Sequence, residues 1–84
     1  MNKKELQKVI GSYCKDFREN EMRVDLSVLS KEFDINYKTL YSFELGLSSN
    51  IYLFYLYYSY TDNKQQFIEG LYGTKNLNWE TEIF

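Results

Sequence analysis

The stretch NYKTLYS, residues 36–42, gathers Asn36, Tyr37, Lys38, Thr39, Tyr41 and Ser42 in a short span. These side chains supply hydroxyl groups, an amide and one ammonium, all able to hydrogen-bond to another molecule. The chemistry they suit is recognition rather than bond making. Catalytic groups are scarce elsewhere. The chain has no histidine and one cysteine, which removes the usual zinc ligand sets and the commonest general base. Glu80 and Glu82 alternate along a strand-like stretch and are expected to face water rather than to work as an acid and a base. Glycine-rich phosphate loops are absent from the sequence. No enzyme activity, metal or cofactor is expected.

Helices must position the 36–42 stretch. Leu6, Val9, Ile10, Tyr13, Cys14 and Phe17 recur at the spacing of one helical face, with lysines and acids on the other. Cys14 on that face reads as a small core hydrophobe. Gly11 within the helix costs about 1 kcal/mol against alanine and so marks a close packing contact. Asp25 is a good cap for a second helix, LSVLSKEF, with Val28, Leu29 and Phe33 as its apolar stripe. Asp34 suits a left-handed turn, Ile35 plugs it, and Asn36 caps a third helix, YKTLYSFEL, which buries Leu40 and Phe43 and stops at Gly46. Asn50 caps a fourth, IYLFYLYYSY, whose inner face is read as Ile51, Phe54, Tyr55 and Tyr58. Asp62 or Asn63 opens a fifth with Phe67, Ile68 and Leu71 inward. The last residues change pattern: Leu77, Trp79, Thr81 and Ile83 alternate with polar residues, a strand signal.

The expected architecture is therefore all-α, a five-helix bundle over residues 1–74 followed by a short strand-like tail, 75–84. With 84 residues there is room for one small core. A single cysteine forms no internal disulfide, the start MNKKELQK is too charged for a signal peptide, and IYLFYLYY is too short to span a bilayer. A cytoplasmic protein is the expectation. Residues 1–48 carry eight Lys/Arg against eight Asp/Glu, and residues 49–84 carry two against four. The front is neutral and the back acidic, which weighs against a strongly basic nucleic-acid footprint.

Two short helices joined by a tight turn make a helix-turn-helix. The order Leu29, Ser30, Ile35, Thr39, Leu40, Phe43, Glu44 and Gly46 resembles the lambda-repressor and Cro (XRE-like) family, over roughly residues 6–71. The resemblance implies that the third helix reads the DNA major groove. By family position Tyr37, Lys38 and Ser42 face base edges, while Asn36, Thr39 and Tyr41 lie nearer phosphates. Lysine can donate to guanine O6 and N7, and tyrosine can pack on a thymine methyl. Arg23 joins Lys38, Lys15 and Lys31 as basic candidates near the motif. The family's glutamate near the end of the recognition helix pairs with an arginine of the first helix, here Glu44 with Arg18. That match requires one additional residue between helices one and two. Leu26 stands where the family often has a phosphate-touching glutamine, and Asp34 where it often has glycine. The plainer alternative for Tyr37 and Lys38 is a solvated helix start.

The tail suggests an interface. A lone strand leaves its backbone groups unpaired, so residues 75–84 are expected to pair with a second copy, or to fold back on their own domain with Trp79 in a groove. The dimerisation candidates are Leu77, Trp79, Ile83 and Tyr57. A homodimer would hold two third helices about 34 Å apart, one turn of double-stranded DNA. The leading expectation is a sequence-specific repressor-type regulator acting without cofactor. The alternative is the same fold used as a protein-binding inhibitor or antirepressor, favoured by the near-neutral front and surplus tyrosine.

Overall fold

Asparagine side chains close the first turn of four of the helices. The computed structural model describes residues 2–73. The strand-like reading of 75–84, with Leu77, Trp79 and Ile83, lies outside the described residues. Within them the chain is all-α. Helix α1 is Lys3–Phe17, continued by a π-helical turn Arg18–Met22; α2 is Leu26–Phe33, α3 Tyr37–Glu44, α4 Ile51–Tyr60 and α5 Lys64–Tyr72. The Oδ1 atoms of Asn2, Asn36, Asn50 and Asn63 accept from the backbone amides of Glu5, Lys38, Tyr52 and Gln66 at 2.8–3.0 Å. Asp25 departs from expectation. It holds the N-cap position of α2 in an extended conformation, but its carboxylate makes no capping bond.

The join from α1 to α2 runs through the π-helical turn. The amide of Arg23 reaches back to the carbonyl of Arg18, and Arg23 adopts a left-handed conformation, φ 56°. A π-helical turn holds one residue more than an α-helical one. The wider turn leaves Arg18 directly at the end of α1. Asp34, at φ 54°, ends α2 in the same left-handed way, and the amide of Ile35 closes on the carbonyl of Ser30 at 3.0 Å.

Helix α1 lies against α3 and α5, α2 against α3, and α4 against α5. Two glycines let α1 and the end of α3 touch backbone to backbone. A Cβ on Gly11 would run into the carbonyls of Phe43 and Glu44, and one on Gly46 (φ 81°) would run into the backbone of Lys8. The core draws Cys14 and Phe17 from α1, Leu26 and Leu29 from α2, Leu40 and Phe43 from α3, Leu53 and Tyr57 from α4, and Phe67 from α5. Phe67 is its aromatic centre: Phe17 meets it edge-on at 4.9 Å, with Tyr13, Phe54 and Tyr58 around it.

Two inner faces differ from the sequence reading. In α2 it is Leu26 that is buried with Leu29, while Val28 is 44% exposed. In α4 the buried residues are Leu53 and Tyr57, whereas Ile51 and Tyr55 are exposed and Phe54 and Tyr58 half-buried. Tyr57, with no exposed surface, is therefore a core residue and not a dimerisation residue. The reason is that α4 is apolar on all sides, so helical spacing alone gives it no inward direction. None of the described helices is long and apolar enough to cross a membrane.

Candidate functional site

A buried clamp holds α3 from behind. The Arg18 guanidinium donates from Nε to Glu44 Oε2 at 2.8 Å and from Nη2 to Glu44 Oε1 at 3.0 Å, a bidentate pair. Its Nη1 donates to the Val24 carbonyl at 2.9 Å, which ties in the chain entering α2. Tyr57 Oη of α4 donates to Glu44 Oε2 at 2.5 Å. One carboxylate thus gathers the end of α1, the start of the α2 connection, and α4 around the last turn of α3. Both charged partners are buried, which makes the geometry demanding: either charge left alone would be costly. The Glu44 hydrogen bond holds the Arg18 guanidinium above its usual pKa. Burial and then the same carboxylate push the Tyr57 hydroxyl well above the usual phenol range. Burial, with Glu44 nearby, raises the Cys14 thiol so far that it stays protonated and inert.

With Leu40, Phe43 and Glu44 turned inward, the opposite side of α3 must face solvent. Asn36, Tyr37, Lys38, Thr39 and Tyr41 are all exposed, and Ser42 is half-buried. Tyr37 and Tyr41, one turn apart, lie nearly parallel at 11° with ring centroids 6.3 Å apart. They form one wall of an open cleft of about 350 Å³, whose other walls are Lys15 and Arg18 of α1 and its π-turn and Asp25, Leu26 and Ser27 at the start of α2. The cleft thus joins the outer row of α3 to the amino end of α2 and one lysine of α1. Arg23 is exposed but is not among the residues lining it.

Compared with known proteins, the chain matches no family model, no curated protein and no solved structure. The likeness to lambda-repressor proteins is carried by the residues named above alone.

Sequence reasoning missed two participants. Ser27 reaches the cleft because α2 turns Leu26 inward, a direction the sequence assigned to Val28. Tyr57 completes the Glu44 cluster, and no local signal marks it among the five tyrosines of α4. A search for a third donor to a buried Arg–Glu pair would have pointed to the apolar helices, since a buried carboxylate oxygen with a spare lone pair needs one. Among the described residues there is no group of three acidic, cysteine or histidine side chains able to hold a metal ion.

Proposed function

We propose that this chain is a sequence-specific DNA-binding regulator of the repressor type, a cytoplasmic protein that lays the first turns of α3 in the major groove. The observation that carries the reading is the outer row of α3, with Tyr37, Lys38, Thr39 and Tyr41 exposed on a helix fixed from behind by Arg18 and Glu44. Lys38 is the base-reading donor, Tyr37 packs beside it, and Thr39 and Asn36 lie towards the backbone of the duplex. Ser42 contributes less than its position in the family pattern implies, because it is half-buried. Lys15 and Ser27 add phosphate contacts across the cleft. Arg23 stands apart, a second-rank phosphate contact at the far end of the π-turn. Two copies would occupy a palindrome; with Tyr57 buried, their contact would fall on exposed apolar side chains such as Tyr52 and Tyr55 of α4.

Few cations stand near α3, so binding should lean on base contacts and show a shallow salt dependence. Selection of bound duplexes from a random pool at low salt tests the reading. An enriched half-site is expected, and Lys38→Ala or Tyr37→Ala should relax one or two positions of it at about 1–3 kcal/mol each. Failure of any sequence to enrich would remove the proposal.

A second reading, a module that binds another protein, is favoured by one observation. The α3 row offers two stacked tyrosines and a single charge, a composition closer to protein interfaces than to phosphate-binding surfaces. An acidic or basic footprint on a partner would not be required of it. Retention of a protein partner by the wild-type chain and its loss in Tyr37→Ala, with no duplex enriched, would support it.

A further inference from the structure

The cleft beside the outer row of α3 has a charge pattern that a duplex alone does not explain. Its lining carries two cations, Lys15 and Arg18, and two anions, Asp25 and Glu44. Arg18 and Glu44 cancel one another in the bidentate pair. Lys15 and Asp25 do not. They stand on different elements, α1 and the start of α2, and neither side chain has an ion-pair or hydrogen-bond partner among the described residues. Apart from the Ser27 hydroxyl, the rest of the lining is apolar or aromatic: Leu26 is buried, and Tyr37, Tyr41 and Leu45 are each about half exposed. Ligand clefts combine such walls with a few polar groups, and the volume of about 350 Å³ is at the small end of their range.

We propose that this cleft binds a small zwitterion of the α-amino acid type with an aromatic side chain. Its ammonium donates to Asp25, its carboxylate accepts from Lys15 and Ser27, and its ring lies against Tyr37 and Tyr41. Charge selects this occupant. An anion would meet Asp25, a polyamine would meet Lys15, and a wholly apolar molecule would take water from both charges without replacing it. A molecule that is neutral overall but carries one group of each sign satisfies both. The Lys15 ammonium rides on a flexible four-carbon stem, so it can swing to a carboxylate held beside Asp25. The two tyrosine rings, inclined by only 11°, offer a flat surface to a planar body. A ligand placed there covers part of the outer row, so ligand and duplex compete for α3. That consequence alone rests on the DNA reading; the binding itself does not.

Amide NMR titration of the full chain with four probes tests the site: L-phenylalanine, phenethylamine (no carboxylate), 3-phenylpropionate (no ammonium) and glycine (no ring). Phenylalanine is expected to shift the amides of residues 25–27 and 37–45 saturably. The other three, each lacking one contact, should bind at least about tenfold more weakly. Asp25→Asn should remove the advantage of phenylalanine over 3-phenylpropionate, and Lys15→Met its advantage over phenethylamine. Both positions are exposed, and asparagine caps a helix as well as aspartate does, so far-ultraviolet dichroism should be retained. Lys4→Met, exposed on α1 outside the cleft, should leave all four affinities as they were. The proposal is overturned by the absence of a saturable shift with phenylalanine, or by shifts confined to other parts of the chain. Equal binding of the four probes, or discrimination that survives both substitutions, would overturn it too. No duplex enters this titration, so it can fail while the DNA selection succeeds, and the reverse.

Discussion

Helices α3 and α4 begin alike and end in the same cluster, yet they turn different surfaces to solvent. Each opens on an asparagine whose side chain accepts from the amide two residues on, Asn36 from Lys38 and Asn50 from Tyr52. Each sends one group into the buried network, Glu44 from α3 and Tyr57 from α4. Outside, α3 shows Tyr37, Lys38, Thr39 and Tyr41, a row with hydroxyls and a charge, whereas α4 shows Ile51, Tyr52 and Tyr55 with no charged residue in the helix. The same clamp therefore carries two kinds of surface. One can discriminate among hydrogen-bonding partners; the other mainly offers apolar area. The proposed function assigns specificity to α3, and support and contact to α4.

The sharpest way to break the comparison is to remove the clamp both helices share. Arg18→Ala leaves the Glu44 carboxylate buried and without its bidentate partner. The expected loss is about 3–5 kcal/mol by urea denaturation, enough to unfold a domain of this size in part. A loss under about 1 kcal/mol would mean that packing alone sets the angle of α3.

Much of this arrangement was legible in the residues, and the places where it was not share a cause. The first, third and fifth helices have clean apolar faces, so Cys14, Phe17, Leu40, Phe43 and Phe67 could be placed in the core. Asn36, Asn50 and Asn63 announced helix starts because their side chains compete for first-turn amides. Gly11 was legible as a contact because an interior glycine without one is a net loss. Arg18 with Glu44 came from the family resemblance, not from spacing, since the two stand 26 positions apart. In α4, by contrast, every position from Ile51 to Tyr58 is apolar or aromatic, and no periodicity survives to choose a face. The choice was made by tertiary demand: Glu44 needed another donor and Phe33 and Phe43 needed a ring between them, and Tyr57 met both. Likewise Asp25 has cap chemistry and cap position, but it borders the cleft and makes no capping bond, which local sequence does not reveal. The outer row of α3 was legible as exposed; what it touches is a question for binding experiments.

A milder perturbation separates the contribution of α4 from that of α1. Tyr57→Phe keeps the ring and removes only the bond to Glu44 Oε2, so the cost should be about 1–3 kcal/mol, less than for Arg18→Ala. Alkaline pH probes the same buried hydroxyls. The Tyr13 hydroxyl, which donates to the Phe67 carbonyl, is pushed from 10 up to about 12, by burial first and with a smaller part from the negative charge of Glu21. Between these values the unfolded chain loses the proton and the folded chain keeps it, so the unfolded state binds fewer protons and stability falls as pH rises from 10. Tyr57, raised for the reasons given above, acts in the same direction. Denaturation midpoints should be flat up to about pH 9, decline above 10, and decline less steeply in Tyr57→Phe. A midpoint that rises above pH 10 would contradict the burial of these hydroxyls.

The smallest expected change in stability carries the most information about function. Tyr41→Ser on α3 and Tyr55→Ser on α4 remove rings of similar exposure, 51% and 57%. Each should alter stability by no more than about 0.5 kcal/mol, because neither ring belongs to the core. Tyr41 also stacks on Tyr37 and borders the cleft, whereas Tyr55 does neither. If α3 discriminates and α4 only supports, Tyr41→Ser weakens binding to the selected duplex, while Tyr55→Ser weakens self-association and leaves the intrinsic preference for the half-site intact. Equal losses of sequence preference from both substitutions would place recognition on α4 as well, and the division between the two helices would not hold.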